Sequence, residues 1–174
     1  MIRAFISAPL DEKTRAELGR LDREQLDIRW SQPEQWHITI QFFDHVNLDE
    51  LQRRFARIEA FQATGILGPR ITRLGARNLV VPVDGLSTLA NRVRESMRSL
   101  APKDQLPFVG HVTLGRIRDN SVPVALEGVP VQGEFQVGHL MLMKSFIGSE
   151  GARHTVIDSK QLFPEDGSTC HGYI

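Results

Sequence analysis

Trp36-His37-Ile38-Thr39-Ile40-Gln41-Phe42-Phe43 is the stretch from which the fold can be read, because His111-Val112-Thr113-Leu114 repeats its centre. In an extended strand, side chains two apart share a face. His37 and Thr39 therefore project together, as do His111 and Thr113. Ile38, Ile40, Val112 and Leu114 point the other way and can anchor each strand in an apolar layer. The result is a polar pair on a rigid apolar support, the arrangement that keeps a site within tight geometric tolerance.

The flanking sequence predicts the scaffold. Ile2–Ala8 reads as a strand, and Asp11–Glu24 as a helix capped by Asp11. Ile28–Trp30 is extended, and Pro33 breaks the chain before the Trp36–Phe43 strand. A helix opens at Asn47 or Asp49, with Leu48, Leu51, Phe55 and Ile58 at helical spacing. A hairpin of Ile66–Leu74 and Leu79–Val83 follows, turning at Gly75–Asn78. Ser87–Leu100 is a second amphipathic helix. Phe108–Ile117, Phe135–Ile147 and Thr155–Phe163 read as the remaining strands, the last two joined by a turn at Gly148–Ala152. The two His-x-Thr motifs lie 74 residues apart, each after a helix and a Pro-containing loop. That spacing fits a duplicated lobe, not a short-period solenoid. The fold class expected is α+β, with residues 1–174 as one bilobal domain and each lobe contributing one motif.

Composition narrows the classes. The chain has 174 residues, 41% hydrophobic and 24% charged, as in a soluble globular protein. No apolar stretch is long enough to span a bilayer. The opening Met1-Ile2-Arg3-Ala4-Phe5-Ile6 lacks the features of a signal peptide, so a cytoplasmic location is expected. The single Cys170 has His171 beside it, but adjacent side chains on extended backbone diverge, and the pair reads as a surface thiol in a Gly/Ser-rich tail. A formal net charge of zero argues against coating nucleic acid through bulk positive potential.

The motifs carry chemistry if the lobes bring them together. Two imidazoles facing one reacting centre can divide the work, one taking a proton from water and the other giving one to a leaving oxygen. Histidine suits both tasks near neutrality. Threonine hydroxyls can hold phosphoryl oxygens. Two His residues with Thr at +2 would arise by chance at roughly 3%, and matched apolar flanks lower that to about 0.1%. A lone His on a strand is most simply a structural residue. The matched pair is not. A zinc site needs three or four convergent ligands, usually with one close spacing, and the six His residues supply none. His154 and His171 read as surface or tail residues.

At these residues the chain resembles the 2H phosphoesterase superfamily, and within it the RNA 2′,3′-cyclic phosphodiesterases once described as 2′–5′ RNA ligases. The resemblance takes in Arg3–Ile6, Arg29-Trp30, Trp36–Phe43, Pro107–Arg116, Leu142–Ser145 and Gly151–His154. It implies a bilobal, LigT-like α+β fold: two pseudo-symmetric lobes of antiparallel sheet with outer helices around a central cleft. It also implies metal-independent, cofactor-free opening of a 2′,3′-cyclic phosphate to a 2′-phosphate. By position, His37 and His111 are the catalytic pair, and Thr39 and Thr113 hold phosphate oxygens. Arg116 matches a family arginine that approaches the phosphate. Strand parity points it away from His111, so that role requires a bulge. The chain has Val109-Gly110 where the family commonly has Arg-Pro, and Met143 and His154 where aromatic residues are usual. Trp30, Phe43 and Phe108 are candidates to stack a nucleobase, with buried packing the competing role for at least two of them.

The implied partners are RNA 3′ ends, such as tRNA-like fragments, or 2′,3′-cyclic nucleotides. No membrane partner is implied, and a monomer is expected. Two other functions compete with this one. The chain could act on another small cyclic phosphate, such as an ADP-ribose derivative, or run the reverse 2′–5′ ligation. Alternatively it is a non-catalytic RNA-end or nucleotide-binding module. Intact histidines favour an enzyme, since Arg or Lys would serve a binder as well.

Overall fold

The computed structural model describes residues 1–148 and 151–165. Ser149 and Glu150, at the tip of the expected last turn, lie outside them, as do Cys170 and His171. The chain runs through β1 (Ile2–Pro9), α1 (Glu12–Gly19), β2 (Ile28–Trp30), a 3-10 turn (Pro33–Gln35), β3 (His37–Val46) and α2 (Leu48–Ala56). It continues through β4 (Ala63–Leu67), β5 (Thr72–Leu74), β6 (Asn78–Asp84), α3 (Ser87–Ser96), β7 (His111–Ile117), β8 (Gly133–Val137), β9 (His139–Gly148) and β10 (Gly151–Gln161).

Local chemistry sets the helix starts. The Asp11 carboxylate accepts from the Thr14 backbone N–H at 2.8 Å, and the Asn47 side chain accepts from Glu50 N–H at 3.0 Å. Each satisfies a donor that a first helical turn leaves without an internal partner. Leu51 and Phe55 of α2, and Leu89, Ala90 and Val93 of α3, are buried against the sheet. The helices are shorter than their apolar spacing suggests: α1 closes at Gly19 and α3 at Ser96.

The strands follow the order β10-β9-β1-β3-β7-β6-β4-β8, with β2 on β7 and β5 on β6. The path divides at its centre. One lobe is β10-β9-β1-β3 and the other is β7-β6-β4-β8. β1-α1-β3 in the first lobe corresponds to β6-α3-β7 in the second, which is the duplication the motif spacing suggested. Both the α+β class and the two-lobed antiparallel architecture are those expected. β3 and β7 meet antiparallel at the seam, with Ile38 paired to Val112. Those two residues are fully buried, so each motif is anchored by its apolar centre.

Two expected strands are each two strands. Ile66–Leu74 is interrupted by Gly68, which adopts a φ of 110°, and by Pro69, which has no N–H for a ladder. Phe135–Ile147 divides at Gly138, because β8 pairs with β4 in one lobe while β9 pairs with β1 in the other. The apolar alternation changes phase at this crossing, from Phe135 and Val137 before Gly138 to Leu140 and Leu142 after it.

Candidate active site

Both motif strands carry a bulge at the same place. In β3, Thr39 lies opposite Ser7 and Gln41 opposite Ile6, leaving Ile40 as the extra residue. In β7, Thr113 lies opposite Val80 and Gly115 opposite Leu79, leaving Leu114 extra. An inserted residue reverses the facing of everything beyond it. Arg116 is thereby returned to the side of His111 and Thr113, and it lines the central cleft with them. The condition that parity set for Arg116 is met. The same device removes Phe43 from the candidate site: it is 1% exposed in the core, and Phe42 takes the outer face in its place. Phe108 also stands outside the histidine cleft. It is half-buried against the edge of the core and lines an adjoining apolar groove.

The cleft, of about 610 Å³, holds His37, Thr39, His111 and Thr113 together with Arg29, Trp30, Asn78, Arg116, Arg153 and His154. Antiparallel register about Ile38 and Val112 sets each histidine of one lobe beside the threonine position of the other. The imidazoles are held alike. His37 Nδ1 lies 2.7 Å from the Gln35 carbonyl, and His111 Nδ1 lies 2.7 Å from the Val109 carbonyl. A carbonyl only accepts, so each Nδ1 carries the proton and each neutral ring presents a bare Nε2. The Thr39 hydroxyl is 3.1 Å from His37 Nε2 and donates to it.

His37 is the more enclosed of the two. Phe5 of β1 stacks on its ring, with centroids 4.8 Å apart and planes at 21°. Burial pushes its pKa down to about 4; the Gln35 carbonyl opposes the shift, and His154 and His111 add to it. At neutral pH the ring is uncharged and able to accept a proton.

His154 is the residue the sequence placed wrongly. It is not a surface or tail residue but lines the cleft from β10, edge-on to both His37 and Phe5, with centroids 5.6 and 4.8 Å away. Burial and the Arg3 charge lower its pKa. Phe5, Arg29 and Arg153 also belong to the site without having been singled out by their chemistry. Their signal was the stretches that carry the family resemblance, each of which contains one. Trp30 lines the cleft, its indole N–H donating to the Gln25 carbonyl at 3.1 Å. Among the described residues, no three His, Cys, Asp or Glu side chains converge to hold a metal ion.

Residues 6–67 match the family model for LigT-like phosphoesterases. The RNA 2′,3′-cyclic phosphodiesterase of Archaeoglobus fulgidus is 25% identical over 141 residues, 71% of this chain and 77% of that protein. A crystal structure from Thermus thermophilus superposes with a TM-score of 0.76 at 21% identity, covering 94% of this chain and all of the other. E. coli LigT complexed with 3′-AMP gives a TM-score of 0.71 at 23% identity, covering 92% of this chain and 98% of that one. The family model, the relative and the fold each show similarity to LigT-like phosphoesterases, in keeping with the resemblance read from the sequence.

Proposed function

We propose that this protein opens 2′,3′-cyclic phosphates, on nucleosides or at RNA 3′ ends, to 2′-phosphates by two-histidine acid–base catalysis. The observation that carries this reading is the matched anchoring of His37 and His111, one from each lobe, with both Nε2 atoms free of protons when the rings are neutral. His37 rests neutral at physiological pH. Its Nε2 is therefore unprotonated and open to take the proton of an attacking water. As the water oxygen bonds to phosphorus, the P–O3′ bond breaks, and protonated His111 supplies the proton that O3′ requires. On this reading the Thr39 hydroxyl turns from His37 Nε2 to the substrate, and with Thr113 and Arg116 it holds the non-bridging oxygens, whose charge rises at the transition state. The names of the Archaeoglobus relative and of the 3′-AMP complex of LigT support a nucleotide-like substrate. Reverse ligation would use the same groups with roles exchanged.

The test is incubation with 2′,3′-cyclic AMP, and with an oligonucleotide ending in a cyclic phosphate, in the presence of EDTA. Conversion to the 2′-phosphate should occur and should be lost in both His37→Ala and His111→Ala. Unchanged turnover in either variant would sink the two-histidine mechanism. Nucleotide binding without turnover in the unmodified protein would favour a binding module instead.

A further inference from the structure

The cleft contains three imidazoles, and the chemistry proposed above employs two. His154 is held on β10, where its backbone pairs with Ser145 of β9. From there its ring meets His37 and Phe5 edge-on, at 5.6 and 4.8 Å between centroids. Its Nδ1 is shut off from solvent and has no hydrogen-bond partner. A buried, unpartnered nitrogen disfavours an arbitrary ring placement, so the contacts with His37 and Phe5 are what hold the ring there. An aromatic ring would supply the same edge-on packing. What histidine adds is a charge that can be switched on.

We infer that His154 is a positioning residue that acts through His37: neutral, it braces the His37 ring edge-on, and protonated, it opposes proton uptake by that ring. Two positive imidazoles this close repel strongly in a partly enclosed cleft. Other charged groups frame the pair: Arg3 from β1, Arg15 from α1, Glu34 from the 3-10 turn, Arg29 from β2, His111 and Arg116 from β7, and Arg153 from β10. Glu34 is the one acidic group in this set. The surroundings therefore add to the repulsion instead of cancelling it. The lowered pKa of His37, to which His154 contributes, agrees with this arrangement. The effect would keep the base unprotonated well into mildly acidic solution.

The experiment is an NMR titration of the His37 ring in the unmodified protein, in His154→Phe and in His154→Gln. Phe preserves the edge-on ring and removes the charge; Gln gives a second neutral side chain should Phe disturb the packing. In the folded variants the His37 midpoint should rise by about half to one pH unit. The acid limb of kcat/KM on 2′,3′-cyclic AMP should move up with it. A His37 midpoint unchanged in both folded variants would overturn the inference. The kinetic arm rests on the proposed reaction, but the NMR arm needs no substrate, so the two can fail separately.

Discussion

Phe5 lies face to face with His37, its ring 4.8 Å from the imidazole and tilted by only 21°. Sheet geometry puts the two rings on the same face. β1 runs antiparallel to β3, and Pro9, Ser7 and Phe5 lie opposite His37, Thr39 and Phe42. The stacked ring keeps water from one face of the imidazole, while the Gln35 carbonyl fixes its tautomer.

Replacing Phe5 by Leu retains apolar volume but removes the flat face. Such a swap should cost no more than about 1.5 kcal/mol of stability. The stacked contact itself is worth about 0.5–1.5 kcal/mol, so its loss from a correctly oriented base should lower kcat/KM roughly tenfold. The His37 titration midpoint should rise as water reaches the ring. Steady-state kinetics on 2′,3′-cyclic AMP beside thermal melts will separate the two effects. A fall in melting temperature with unchanged kcat/KM would show that the stack serves the fold alone.

Arg116 depends on Leu114, the extra residue that turns it into the cleft. Its side chain is exposed there, and it has no ion pair among the described residues. Arg116→Ala should lower kcat/KM about 10- to 100-fold, chiefly through KM, because a charge-assisted contact to a phosphate oxygen is lost. Arg116→Lys should recover only part, since an ammonium lacks the planar fork. Equal kinetics for all three proteins would remove Arg116 from the substrate contacts.

The contrast between Arg116 and Phe43 shows how far the sequence could be read. Period-two alternation fixed the facing of His37, Thr39, His111 and Thr113 because no bulge lies within either motif. Immediately beyond each motif the parity reverses, and a bulge is visible only against the partner strand. Family resemblance rescued Arg116, while Phe43 had no such support and was misplaced. His154 was missed for a different reason. Its approach to His37 depends on β10-β9-β1-β3 stacking side by side, a pairing of distant segments that local pattern does not encode.

Gly110 gives a third prediction. It packs closely at the start of β7: a Cβ on Gly110 would lie 2.2 Å from the Val83 carbonyl oxygen, and Val83 N–H donates to the Gly110 carbonyl at 2.9 Å. Gly110→Ala should therefore destabilise the fold by about 1–3 kcal/mol through overpacking. Installing the family's Arg-Pro here should harm the protein, not improve it. Urea denaturation of the two variants measures this directly, and a stability equal to that of the unmodified protein would contradict the close approach.

The buried imidazole also ties stability to pH. His37 titrates near 4 in the folded protein and near 6.5 in an unfolded chain, so the unfolded state binds the proton more readily. Above pH 6.5 the ring is neutral in both states and the folded protein suffers no penalty. As pH falls from 6.5 toward 4, the unfolded chain gains a proton that the native ring refuses, and stability declines by up to about 3 kcal/mol. Below pH 4 both states are protonated and this contribution stops changing. Neutral replacements lack the effect, so His37→Phe should flatten the decline between pH 6.5 and 4 in urea titrations. A bound phosphate should oppose it as well, because an anion beside Nε2 favours the imidazolium. Inorganic phosphate should then stabilise the unmodified protein more at pH 5 than at pH 7.5, and should stabilise His37→Phe little at either. If the two proteins lose stability in parallel across that window, the folded protein does not hold His37 against protonation.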